Sequence, residues 1–167
     1  MSNRLQRAGR GTPIYTPEER ERRDATVWTL VQGVLAPLQF AVFLVSLALV
    51  LRYLTTGEGY GAATLSIVVK TLFLYAIMVT GSIWEKVVFG RWLFAGPFFW
   101  EDVFSFGVIA LHTLYMWGLI TGAMGPEALI ATALAAYGAY IINAGQFLWK
   151  LRLARLEGAA LQAEAVP

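Results

Sequence analysis

The stretch Val27–Arg52, VWTLVQGVLAPLQFAVFLVSLALVLR, carries its single charge at its last position and decides the fold. A helix needs about 20 apolar residues to cross the hydrocarbon core of a bilayer, and this run exceeds that. It also exceeds the apolar core of about 7–15 residues found in a secretory signal, so it reads as a membrane span. Three similar stretches follow, at 63–86, 98–120 and 127–149. The sequence therefore predicts an all-α fold, an integral membrane bundle of four transmembrane helices. The turns Thr55–Ala62 and Thr121–Pro126 are short and glycine-rich. The 87–97 connection, with Gly90, Gly96, Pro97 and several aromatics, is expected to lie in the membrane interface. Composition agrees: of 167 residues, 57% are hydrophobic and 14% charged, a balance that so small a globule cannot hide from water.

Basic residues set the predicted orientation. Six arginines precede the first span, Lys86 and Arg91 lie between spans two and three, and Lys150, Arg152 and Arg155 follow the fourth. The other two turns hold no Lys or Arg, so both termini and the middle connection are expected on the cytoplasmic side. Residues 1–15 read as a disordered basic N-terminus, 16–155 as the membrane domain and 156–167 as a flexible tail. Thr16-Pro17-Glu18-Glu19 has the spacing of a capping box with proline in the first turn, a helix start.

Candidate chemistry collects at one depth. Asp24 precedes span one, Glu85 and Lys86 close span two, Glu101 and Asp102 open span three, and Lys150 closes span four. Residues three and four apart share a helix face. Asp24, Trp28, Gln32, Leu35 and Gln39 then form one stripe, and Thr71, Tyr75, Met78, Ser82 and Glu85 a second. Glu101, Ser105, Val108 and His112 form a third, and Ala139, Asn143, Gln146 and Lys150 a fourth. Polar seams on every span predict a lined cavity open to the cytoplasm. Each residue also has a plainer reading: interfacial charges as solvated ends, and intramembrane amides as bonds between helices. His112 is either an interhelical donor or an axial ligand to a metallated macrocycle. Lys70 is expected to snorkel from the outer end of span two, and Pro37 to kink span one. Trp28, Trp84, Trp92, Trp100 and Trp149 all fall at the predicted cytoplasmic interface.

Several classes are excluded. The chain has no cysteine and one histidine, which rules out thiolate chemistry and multi-histidine metal sites. It shows no usable nucleotide motif, and its basic N-terminus suits anionic lipid better than nucleic acid.

Three segments carry a resemblance: Asp24–Phe40 (DATVWTLVQGVLAPLQF), Val79–Gly90 (VTGSIWEKVVFG) and Phe98–Ser105 (FFWEDVFS). They resemble the 3-vinyl bacteriochlorophyllide hydratases, called 2-vinyl in older nomenclature, over roughly residues 15–155. The resemblance implies a hydro-lyase of bacteriochlorophyll synthesis in a bacterial cytoplasmic or intracytoplasmic photosynthetic membrane. It would add water to the ring-A vinyl group of chlorophyllide a or a related bacteriochlorophyllide, giving 1-hydroxyethyl. No cofactor is implied, and magnesium would arrive within the chlorin substrate rather than on the protein. Other pigment-synthesis enzymes are candidate partners. The chemistry calls for one acid and one base, and Glu85 and Glu101 are the expected pair, with Asp102 a competitor for either role. Asp24, Trp28, Gln32, Gln39, Lys86, Trp100, His112, Asn143 and Gln146 are the expected substrate contacts. Lys86 could keep one carboxylate ionised, and His112 could reach the magnesium. The competing readings are a non-enzymatic protein that binds or delivers chlorins, and a small transporter.

Overall fold

The computed structural model describes residues 14–165, and among them every regular element is helical. A surface helix α1 (Pro17–Ala25) is followed by four long ones: α2 (Val27–Thr56), α3 (Tyr60–Phe89), α4 (Phe99–Thr121) and α5 (Pro126–Ala165). All four are long and apolar enough to cross a membrane. The expected capping box is present. Thr16 Oγ1 accepts from the Glu19 amide at 3.2 Å, and Glu19 Oε2 accepts from the Thr16 amide at 2.8 Å. Short turns make successive spans antiparallel. Helix α2 ends on Gly57 (φ 74°) and α3 on Gly90 (φ 77°), in the left-handed region where a side chain is strained.

Helix α2 packs along α3 and α4 along α5, making two hairpins. Their inner faces meet in a core of Phe43, Val50, Ile67, Leu74, Val108, Tyr115 and Tyr137. Rings join the hairpins, with Phe43 5.3 Å from Tyr137 and 4.8 Å from Tyr140. Ser46 Oγ lies 2.5 Å from Tyr137 Oη and 2.7 Å from Ser66 Oγ. Such bonds matter in hydrocarbon, where no water replaces a lost partner. The outer faces expose Leu30, Val34, Leu44, Val45, Ile141 and Ile142, apolar surface suited to lipid.

Two boundaries differ from the sequence reading. Residues 1–13 lie outside the described part, but Ile14 and Tyr15, expected in the disordered segment, are buried. The Tyr15 ring stacks on Phe89 at 5.7 Å, and the Arg23 guanidinium sits 4.8 Å from its centroid. Burial pushes the Tyr15 hydroxyl above its ordinary pKa, an effect that Arg23 opposes. Helix α5 runs on to Ala165, through most of the expected tail. At about 1.5 Å per residue it extends well past the bilayer, with Arg152, Arg155 and Leu156 exposed.

Candidate active site

One end of the bundle gathers α1, the 90–98 connection and the point where α5 passes Trp149; this is termed the near end. Glu85 lies on the last turns of α3, and Glu101 and Asp102 lie on the first turn of α4. A helix N-terminus favours negative charge there. All three carboxyls are buried, 5%, 6% and 4% exposed respectively. Those of Glu85 and Asp102 face each other within hydrogen-bonding reach. Each also accepts a backbone amide of the 90–98 connection: Glu85 Oε2 from Ala95 at 3.1 Å, and Asp102 Oδ2 from Phe94 at 2.6 Å. Phe94 has φ 58°, a region costly for a bulky residue. Its ring stacks on Phe106 at 5.5 Å and leans on Phe99 at 5.6 Å. The connection is thus a strap across the acidic pair, held by the pair itself.

Glu101 is different. Its Oε1 forms an ion pair with Lys150 Nζ at 3.0 Å, and Lys150 also donates to the Pro97 carbonyl. Its Oε2 is buried without a partner. The next turn of the α4–α5 seam holds Ser105, whose Oγ accepts from Asn143 Nδ2 at 2.9 Å. Asn143 Oδ1 and Gln146 Oε1 are also buried without a donor.

The expected open cavity is corrected. Burial of the trio beneath the strap closes the near end. A shallow depression of about 360 Å³ lies at the opposite end, bordered by Tyr53, Glu127 and Leu134.

Several proposed substrate contacts sit elsewhere. Asp24 is exposed and paired with Arg23 at 2.6 Å, because its helix lies on the surface rather than in the bundle. Lys86 points outward, donating to the Gly90 carbonyl at 2.9 Å with Nζ 5.9 Å from the Trp92 ring. The ion pair expected of it falls to Lys150. Trp100 is 65% exposed, and its ring meets the edge of Phe99. Trp28 is half-buried and Gln39 fully so on the inner face of α2. Gln32 Nε2 donates to Thr80 Oγ1 at 2.7 Å and Trp84 Nε1 to Thr29 Oγ1 at 2.9 Å, both joining α2 to α3.

His112 is fully buried at mid-span. Its Nδ1 lies 2.8 Å from the Val108 carbonyl, so it carries the proton, leaving Nε2 to accept from Lys70 Nζ at 3.0 Å. With both nitrogens engaged, axial ligation to a magnesium ion has no free atom to use. Lys70 is itself a correction, since it is 0% exposed and does not snorkel. Its ammonium lies 4.1 Å from the Tyr140 centroid, 5.5 Å from Tyr137 and 5.9 Å from Phe43, so aromatic faces and an imidazole replace water.

These features define an integral membrane protein that gathers carboxyl groups at one end of a four-helix bundle. The 2-vinyl bacteriochlorophyllide hydratase family profile matches residues 15–153, and the chain belongs to that family. Relatives named 2-vinyl bacteriochlorophyllide hydratase occur in Cereibacter sphaeroides and Rhodobacter capsulatus. The first is 70% identical over 150 residues, 89% of this chain and 92% of the relative. The second is 70% identical over 148 residues, 88% of this chain and 85% of the relative. No solved structure matches.

Proposed function

We propose that this chain adds water to the ring-A vinyl group of chlorophyllide a or a related bacteriochlorophyllide, and that Glu85, Asp102 and Glu101 supply the acid and base. Family membership makes it a hydratase rather than a pigment-delivery protein or a transporter. The observation that carries the chemistry is the division within the trio. Glu85 and Asp102 face one another, while Glu101 faces Lys150.

Two carboxyls at hydrogen-bond distance out of water hold one proton between them readily, since like charges so close repel. That proton goes to the terminal vinyl carbon, leaving a cation on the carbon attached to the macrocycle. Conjugation spreads the charge, and the nearby carboxylates oppose it. Water adds at the cationic carbon, and its surplus proton passes to Glu101. Return of that proton to the Glu85–Asp102 pair resets the site, so no co-reactant is consumed. In the closed arrangement the strap must lift before a vinyl group reaches the pair. The chlorin magnesium belongs to the substrate. We place the near end on the cytoplasmic side, in a bacterial cytoplasmic or photosynthetic membrane, on the strength of the arginine and lysine distribution.

The test is incubation of membranes with chlorophyllide a in ¹⁸O-labelled water, scoring the labelled hydroxyethyl product by mass spectrometry. Glu85→Gln and Glu101→Gln are each expected to lower turnover about 100-fold or more at equal protein level. Near-normal product from both would remove the carboxylates from the mechanism.

A further inference from the structure

Three acceptor oxygens carried by residues of the α4–α5 seam are buried with nothing to accept from: Glu101 Oε2, Asn143 Oδ1 and Gln146 Oε1. The register is fixed by two contacts, Lys150 with Glu101 and Asn143 with Ser105. Gln146 lies between them, one helical turn from each on α5. Glu101 and Asn143 are 6% and 7% exposed, so bulk water does not satisfy them. A buried acceptor without a donor is costly, and three in one seam call for a ligand made of donors. Their chemistry narrows it. A cation would suit three oxygens, but the Lys150 ammonium already stands 3.0 Å from this carboxylate and would repel it. Water offers two protons and no charge.

We propose that this seam is a water site: Glu101 Oε2, together with Asn143 Oδ1 and Gln146 Oε1, holds the molecule that becomes the product hydroxyl. This rests on the hydratase reading above and assigns Glu101 as the base. Water that donates one proton to Glu101 and the other to an amide oxygen keeps its lone pairs for the cationic carbon. The new C–O bond forms there, the O–H bond to Glu101 breaks, and the proton ends on Oε2. Lys150, fixed on Oε1, leaves Oε2 as the oxygen free to accept. Asn143 is oriented by Ser105, which makes Ser105 a positioning residue.

The experiment uses the full-length protein in detergent micelles with chlorophyllide a as the probe. At least one of Asn143→Leu and Gln146→Leu, the one whose oxygen takes the second proton of the water, is expected to lower kcat about tenfold, the value of one hydrogen bond in a transition state, with KM for chlorophyllide within about twofold. In water–methanol mixtures that variant should form more methoxyethyl product than the parent, because the held water no longer outcompetes methanol. Ser105→Ala leaves all three acceptors but frees the Asn143 amide to turn, so it should shift kcat and the methanol partition in the same direction as Asn143→Leu and by less, with KM unchanged. Unchanged kcat and methanol partition in both leucine variants, with Glu85→Gln inactive, would overturn the water site while sparing the carboxylate mechanism. Loss of chlorophyllide binding and thermal stability in step with kcat would also overturn it, since that marks a purely structural seam. Full activity in Glu85→Gln and Glu101→Gln as well would sink the underlying mechanism.

Discussion

Replacing Lys150 by Met separates what holds Glu101 in place from what Glu101 does. The two charges are 3.0 Å apart, and their side chains are 23% and 8% exposed. At an effective dielectric of about 20, Coulomb attraction at that distance is roughly 5 kcal/mol. Desolvation offsets much of this, but removing one partner leaves the other buried and uncompensated, which costs about 3–5 kcal/mol. Partial exposure of Lys150 puts Lys150→Met at the lower end, about 3 kcal/mol. For a chain of this length that is roughly 6–12 °C in the detergent melting temperature. Glu101→Gln should cost less, because the freed ammonium keeps the Pro97 carbonyl and has a path to solvent. The double variant should then recover most of the stability lost by Lys150→Met. The cycle is read by thermal melts of the four proteins, alongside hydration of chlorophyllide a. The expected signature is a coupling above about 1.5 kcal/mol with a double variant that is stable yet inactive. Additive losses would refute the ion-pair argument, and a stable, fully active double variant would refute Glu101 as a catalytic group.

Other outcomes follow from single contacts. Phe94→Gly should be more stable than Phe94→Ala by about 1 kcal/mol, the reverse of the usual order, because both lose the ring stacking but only glycine relieves φ 58°; equal melts would mean the strap is unstrained. Lys70→Met should destabilise by about 2 kcal/mol, since it strips His112 Nε2 of its donor, and adding His112→Leu should restore part of that; a neutral Lys70→Met would mean the lysine reaches water after all. The raised pKa of Tyr15 gives stability present below the ordinary tyrosine pKa and lost as pH climbs through the folded value. Tyr15→Phe should therefore lose less stability than the parent above about pH 10, measured by melts across an alkaline series, and parallel curves would contradict the sign.

Periodicity made much of this molecule legible. Span lengths follow from apolar runs, and the inner stripes follow from 3.6-residue spacing: Gln39 leads to buried Phe43, Ser46 and Val50, and Glu101 to Ser105, Val108 and His112. Depth also was readable, because Glu85, Glu101 and Asp102 flank one connection and must emerge at one end. Partners were not, since a stripe fixes a face and leaves the group across from it open. Lys70 shows the difference. It lies on the buried Ala63–Ile67–Lys70–Leu74 face, yet its place near the outer end of span two argued for snorkelling. What keeps it inside is a box of Phe43, Tyr137 and Tyr140 built by two other helices. The exchange of Lys86 for Lys150 has the same origin: both lie at the right depth, and only the packing of α5 against α4 shows which one turns inward.

The strap carries the same point into function. Backbone amides have no sequence signature, so nothing in the string of residues announces that Phe94 and Ala95 donate to the acidic pair. Packed over the buried pair, those two amides must find acceptors, because an unpaired buried backbone N–H is costly. Meeting that need with Glu85 and Asp102 closes the site with the groups proposed to do its chemistry. Lifting the strap therefore does two things in one motion: it admits the vinyl group, and it takes from each carboxyl the backbone donor that held it. On the proposed reading, the proton shared by the pair becomes available only when a substrate has displaced the strap, which guards an acid in a greasy site against idle exchange with water.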